Sequence, residues 1–190
     1  MENNFPANYR TRETADLFLY LIIQLLKECG RAAIILPDGF LFGEGVKIRI
    51  KERLLEKCNL HIIVRLPNGV FAPYTGIKTN LLFFTKGKPT EEIWYFEHHL
   101  PNGIKSYSKT RSIRIEEFDL EKAWWNNREE NEYAWKVSIE GIKERNYNLD
   151  IKNPRGIEEE TTLTKEEIIE RIESNLRRSS ELLGRIKRAF

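Results

Sequence analysis

The sequence predicts an α/β fold, on three observations. Amphipathic helical stretches alternate with apolar strands through its first hundred residues. Ala32–Pro37 (AAIILP) is a continuous apolar run, as expected of a central parallel strand covered on both faces. Two loops, LPDGFLFGEG and GVFAPYTGIKTN, leave strand ends and carry aromatics, Gly, Thr and Lys. In open α/β sheets such a rim is where ligands bind.

The elements follow in order. Thr11 is placed to cap a first helix, with Glu13 in its first turn and Leu17, Leu21, Ile22 and Leu25 on its apolar face. Gly30 stands where a helix end favours a left-handed residue. After the AAIILP strand, Val46 to Lys57 reads as a helix with Ile50, Leu54 and Leu55 inward. Strands are expected at Leu60 to Pro67, Ile77 to Lys86 and Ile93 to Glu97. The order starts as α/β and then meanders antiparallel. Asp119 to Trp125 predicts a short helix with its aromatics on the core, and Trp135 to Ile142 a second one. Asn146 to Pro154 reads as turn-rich and extended. Residues 1–155 are thus read as one domain and 156–163 as an acidic, apolar-poor linker.

Residues 164–190 read as a separate amphipathic helix. Thr164 and Glu167 make a capping box. Ile169, Ile172, Leu176, Ser179, Leu183, Ile186 and Phe190 recur at steps of three and four, a heptad seam interrupted by one Ser. Such a helix either packs on its own domain or docks a partner.

Composition bounds the function classes. A 32% share of charged residues indicates a soluble chain. No apolar run approaches the roughly 18 residues of a membrane span, and the N-terminus lacks a signal pattern. Cys29 and Cys58 have no CxxC or Cys/His companions, so both read as reduced, half-buried thiols of a cytoplasmic protein without a zinc site. His61 reads as a core or interface residue, and His98–His99 lacks partners at metal spacing. A net charge of +2 neither demands nor excludes nucleic acid. Two basic groups can meet phosphate or simply face solvent: Lys47, Arg49, Lys51 and Arg53 on a helix, and Lys105, Lys109, Arg111 and Arg114 in a loop. No nucleophile–His pair is evident, which argues against a self-contained hydrolytic enzyme.

Four segments carry a family resemblance: NNFP…RTRETADLFL, GRAAIILPDGFLFGEG, RLPNGVFAPYTGIKTNLLFFTKG and WKVSIEGIKERNYNLDIKNP. In this order and spacing, from about Asn4 to Pro154, the chain resembles the methyltransferase (modification) subunit of type I restriction–modification systems. That family methylates the exocyclic amine of adenine in DNA, using S-adenosylmethionine. The resemblance implies a partial Rossmann-like methyltransferase fold, the second half of a seven-stranded sheet, followed by a C-terminal helical tail. The family's Gly-rich cofactor turn and Asn-Pro-Pro-aromatic motif have no counterpart here. Gly43-Glu44-Gly45 follows the wrong strand, and neither Asn153-Pro154-Arg155 nor NNFP matches. The expectation is therefore a portion of the subunit that is inactive alone and binds no S-adenosylmethionine by itself. A non-catalytic DNA- or partner-binding module is the alternative.

The resemblance also implies site residues. Phe71 is expected to stack on a flipped adenine, since a base inside the duplex is out of reach, with Tyr74 and Pro73 shaping the pocket. Asp38, Thr75, Lys78 and Thr79 are expected near the DNA. The terminal seam, through Ile169, Ile172, Leu176, Leu183 and Ile186, is expected to pack on the specificity subunit within the complex that includes the restriction subunit. If the preceding strands are absent, the Ala32–Leu36 strand acquires an open edge. The chain is then expected to self-associate, swap elements, or cover that edge with its own N-terminal helix or tail.

Overall fold

Five strands form one mixed sheet in the order β1-β3-β2-β4-β5. A computed structural model describes residues 4–101, 103–156 and 165–189. The chain divides into two units, 1–156 and 157–190. Past Gly156, the expected linker lies outside the described residues, as do the Thr164 cap and the Ile186 side chain.

The first unit opens with a 3-10 turn at Ala7–Tyr9 and helix α1, Thr14–Leu25. Strand β1, Arg31–Pro37, runs directly into the short helix α2, Asp38–Phe42, and then into α3, Val46–Lys57. Strands β2 (Cys58–Arg65), β3 (Thr79–Lys86) and β4 (Glu92–Glu97) follow. A 3-10 turn at Ile115–Phe118 leads into α4, Asp119–Trp125, and β5 (Ala134–Ser138) and α5 (Ile139–Glu144) close the unit.

β3 lies antiparallel between β1 and β2, β4 runs parallel to β2, and β5 is antiparallel to β4. This corrects the reading of β1 as a central parallel strand covered on both faces. Its partner is the antiparallel β3, and among the described residues its other edge is unpaired. Ile35 is accordingly 47% exposed. The long apolar run reflects partial cover on one face, where Ala32 and Ile34 pack against the core to which α1 contributes Leu19 and Ile23.

The period-2 rule places two cores on the two faces of the sheet. Along β4, Ile93 and Tyr95 join the core under α1 and α3, while Trp94 and Phe96 join the core under α4. Tyr95 stacks on Trp135 with ring centroids 5.3 Å apart, and Trp124 packs against Trp94 at 5.6 Å and Phe96 at 5.1 Å. His61 is the extra residue where the β2–β3 register shifts between Leu60 and Ile62, so those two side chains enter opposite cores.

Several local expectations change. Helix α1 begins at Thr14, and the Thr11 hydroxyl accepts from the Glu13 N–H before it, so Thr11 turns the chain rather than capping. Leu21 and Leu25 are exposed, while Leu19, Tyr20 and Ile23 carry the buried face. The left-handed residue after the helix is Cys29, with φ 60°, not Gly30. Cys29 is exposed and Cys58 fully buried, rather than both half-buried. Of the expected helix over Trp135–Ile142, the first part is strand β5. Ser138 then caps α5, its hydroxyl accepting from the Gly141 N–H.

The second unit is α6, Lys165–Ala189. Taken by itself, it leaves its seam uncovered: Ile169, Ile172, Leu176 and Leu183 are each more than half exposed.

Candidate nucleic-acid interface

The sheet register brings one end of every strand to a common rim. Pro37 pairs with Thr79, Arg65 with Asn80, and Arg65 with Glu97. The C-terminal ends of β1, β2 and β4 therefore meet the start of β3. The Asp38 N–H donates to Lys78 O at 2.9 Å, Leu66 N–H to Thr79 O at 2.9 Å, and His98 N–H to Arg65 O at 2.9 Å. These bonds tie the loops leaving the rim to one another.

Arg65 is the hub. Its guanidinium lies 2.7 Å from Asp150 and 3.4 Å from Asp38, and it donates to Ile151 O at 3.0 Å. Asn80, buried, donates to the same Asp38 oxygen at 3.1 Å. Asp38, expected near DNA, is thus held in an internal polar cluster and is 23% exposed. The sequence reading missed Arg65, Asn80 and Asp150. A charged residue that closes the apolar run of β2 was the available signal for Arg65.

The loop from Leu66 to Lys78 stands on this rim. Leu66 is buried in the second core and Val70 packs against it, fixing the loop's first half. Gly69 has φ 80°, and a Cβ there would lie 2.3 Å from Tyr107 O, so both conformation and space require glycine. Turn hydrogen bonds follow from Ala72 N–H to Gly69 O and from Tyr74 N–H to Phe71 O, both 2.9 Å. The Ala72–Pro73 peptide is cis. Phe71 is 36% exposed and Tyr74 92% exposed, while Pro73 and Lys78 are exposed as well. The Thr75 hydroxyl accepts from the Ile77 N–H at 3.1 Å. Thr79 stands apart, because its hydroxyl is shut off from solvent and has no hydrogen-bond partner. The rim loop therefore leaves Phe71, Pro73, Tyr74 and Lys78 exposed and Thr79 buried.

The helical basic group is not a free phosphate-binding face. Lys47 pairs with the buried Asp16 at 2.8 Å. Lys51 is fully buried and donates to Leu41 O at 2.8 Å and Gly43 O at 3.0 Å. Burial first, and the neighbouring Lys47 charge second, depress its pKa to about 8. Arg53 lies over the rings of Tyr9 and Tyr20 at 5.7 and 5.4 Å. Three of the four cations thus serve the fold.

The glycine turn after β1 is equally internal. A Cβ on Gly43 would meet the Lys47 side chain at 2.1 Å and Gly39 O at 2.7 Å. Beside Gly43 the space is taken by the chain's own atoms, whereas nothing lies within 4 Å of a Cβ built on Gly45. Among the described residues no group of three or more His, Cys, Asp or Glu is placed to hold a metal, and no helix is long and apolar enough to cross a membrane.

An α/β sheet with an aromatic loop and a polar hub at its strand exits is the class that fold and rim define. The N-6 DNA Methylase family matches residues 2–162, and the chain belongs to that family. It is 64% identical over 161 residues to the Type I restriction enzyme EcoEI methylase subunit of Escherichia coli, covering 81% of this chain and 33% of that protein. It is 40% identical over 101 residues to the EcoKI methylase subunit of Escherichia coli strain K12, covering 48% of this chain and 18% of that one. Among solved structures, a modification subunit of a putative type I restriction enzyme from Vibrio vulnificus YJ016 superposes with TM-score 0.77 at 48% identity, covering 82% of this chain and 35% of that one. A chain from a type I R-M system, solved in a study of complex assembly and conformational transition, superposes with TM-score 0.78 at 34% identity, covering 98% and 41%. The chain thus spans about a third of the EcoEI subunit.

Proposed function

We propose that this chain forms the base-binding rim of a type I restriction–modification DNA adenine methyltransferase subunit. The observation that carries the reading is the Phe71 loop. It is an exposed aromatic on a braced turn at the strand-exit rim, in a chain 64% identical to a type I methylase subunit. The fold it represents is the second half of a Rossmann-like methyltransferase sheet.

In this reading an extruded adenine rests its face on Phe71. Stacking of this kind is worth about 1–3 kcal/mol per base. Pro73 and Tyr74 close the sides of the base. Lys78 and Thr75 lie toward the phosphates beside it, with Asp38 at the rim and Thr79 supporting it from below. S-adenosylmethionine supplies the methyl group in the complete subunit. In this reading the residues that hold it belong to a part of the subunit other than this chain. The rim's own task is to hold the base and exclude water from one face of it. By itself the chain is a binding element, inactive as a methylase. The α6 seam takes the specificity subunit through the exposed Ile169, Ile172, Leu176 and Leu183 and, by the sequence spacing, Ile186, and the assembly includes the restriction subunit.

The test uses the complete subunit with its specificity subunit and a duplex carrying 2-aminopurine at the target adenine. Phe71→Ala is expected to weaken the emission rise on binding and slow methyl transfer by roughly 5- to 150-fold, the equivalent of one stacked base. Phe71→Trp should retain both signals. Full emission and full rate in Phe71→Ala would remove the reading. Micromolar binding of S-adenosylmethionine by the 190-residue chain alone would overturn the assignment of the cofactor site elsewhere.

A further inference from the structure

We propose that the hairpin around Ser108–Arg111 is a second nucleic-acid contact, setting Lys105, Lys109, Arg111 and Arg114 on backbone phosphates beside the base-binding loop. The inference rests on the preceding reading only for the identity of the nucleic acid as DNA.

The hairpin leaves the same rim. His98 follows β4 and bonds to Arg65 O, so the segment after it starts where β1 and β2 end. Two backbone bonds close the turn, Ser108 N–H to Arg111 O at 2.9 Å and Arg111 N–H to Ser108 O at 3.1 Å.

Tyr107 anchors the turn and is almost wholly buried. Its N–H donates to Asn68 O at 3.3 Å, and its carbonyl presses on Gly69, the glycine that precedes Val70 and Phe71. Its hydroxyl donates to Glu117 and lies 3.2 Å from His98 Nε2, while His98 Nδ1 lies 2.5 Å from Glu121. Burial first, and the Glu117 carboxylate second, push the tyrosine pKa up, so the hydroxyl remains a donor. The basic turn and the aromatic loop are therefore joined through one residue.

The charge is one-sided. From His98 to Ile115 the sequence holds four cations and no carboxylate. All four cations are exposed, and none has an ion-pair partner among the described residues. The nearby Glu117 and Glu121 are engaged by Tyr107 and His98, and Asp119 pairs with Lys122 at 2.7 Å, leaving Glu116 as the adjoining exposed carboxylate. Exposed cations on a pinned turn suit an anionic backbone, since each phosphate neutralised releases a condensed counterion.

The experiment titrates the full chain with a fluorescein-labelled duplex by anisotropy, across a series of salt concentrations. Removing two phosphate contacts should lower the slope of log affinity against log salt by about 1.8, at about 0.9 each. The double variant Lys109→Ala/Arg111→Ala should show that loss and bind at least about tenfold more weakly near 0.1 M salt. Lys105→Ala/Arg114→Ala gives a second, independent measurement should the first variant misfold by circular dichroism. Lys27→Ala/Lys88→Ala removes the same charge elsewhere and should leave slope and affinity unchanged. An unchanged slope in both hairpin variants overturns the proposal, as does an equal loss in the control or the absence of duplex binding by the chain. Competition by polyglutamate as effective as by unlabelled duplex overturns it in favour of an acidic protein partner. Phe71→Ala in the same assay should spare the slope. A hairpin effect with no Phe71 effect on 2-aminopurine emission would retain this contact and discard the base-stacking one.

Discussion

Lys51, wholly buried, hands a proton donor to the Leu41 carbonyl at 2.8 Å, and this bond holds the turn that follows β1. A second bond to Gly43 O fixes the next residues of the same turn. An ammonium in that position is costly, which is why its pKa falls to about 8 from an ordinary value near 10.4. The unfolded chain therefore holds this proton to higher pH than the folded one. Below about pH 8 both states carry it and the cost of burial is fully present. As pH rises from about 8 toward 10 the folded state loses its proton first, and stability increases. The wild type should gain roughly 1–2 kcal/mol relative to Lys51→Met between pH 7 and 9.5, read from urea unfolding of both proteins. Taking the difference cancels Cys58 and Tyr95, whose raised pKa values act in the opposite direction. A constant difference across that range would show that Lys51 keeps its proton in the folded protein as long as in the unfolded chain, so that burial does not depress its pKa.

Gly69 and Gly76 lie in the same loop and should respond oppositely to alanine. At Gly69 the added Cβ meets Tyr107 O at 2.3 Å and the backbone is left-handed. At Gly76 nothing lies within 4 Å and no left-handed φ is involved. Gly69→Ala is expected to cost more than about 1 kcal/mol and to loosen the Tyr107 anchor. Gly76→Ala should be near neutral or slightly stabilising. Urea midpoints measure the first effect. Amide exchange at Tyr107 and Arg111 measures the second, and should accelerate in Gly69→Ala alone. Equal behaviour of the two variants would mean that the loop and the hairpin are not coupled through this contact.

The elements that could be read from sequence are those whose patterns are local. Helix α3 announces itself through Ile50, Leu54 and Leu55, and α4 occupies the predicted residues. Strand β5 was misread because Trp135, Val137, Ile139 and Ile142 satisfy a period of two at first and a helical spacing afterward, and a run of eight residues does not separate them. What decides is the ladder to β4, a non-local pairing. The edge position of β1 has the same origin: an apolar run states burial, not the direction of its neighbour. The basic residues of α3 looked like a phosphate face because Asp16, Leu41 O and Tyr9, which engage them, come from other elements. The aromatic rim loop was legible through its composition and its resemblance to a family. The Arg65 and Tyr107 clusters were not, since their partners lie up to 86 residues away in the chain.

Helix α1 packs with one face of β1, but the outer hydrogen-bonding edge has no partner among the described residues, and Ile35 projects apolar surface beside it. An edge of this kind recruits another strand, and an edge lysine is a common natural deterrent. The 190-residue chain is therefore expected to self-associate in a concentration-dependent way by sedimentation velocity. Ile35→Lys should shift it toward monomer. Because Ile35 is half exposed and lies outside both cores, the substitution should change the unfolding free energy by less than about 1 kcal/mol. The amides of Ala33 and Ile35 should then exchange freely in the monomeric variant and slowly in the wild type at high concentration. A wild type that stays monomeric at high concentration, with those amides already exchanging freely, would show that the edge is guarded by its own twist and short length rather than by another strand.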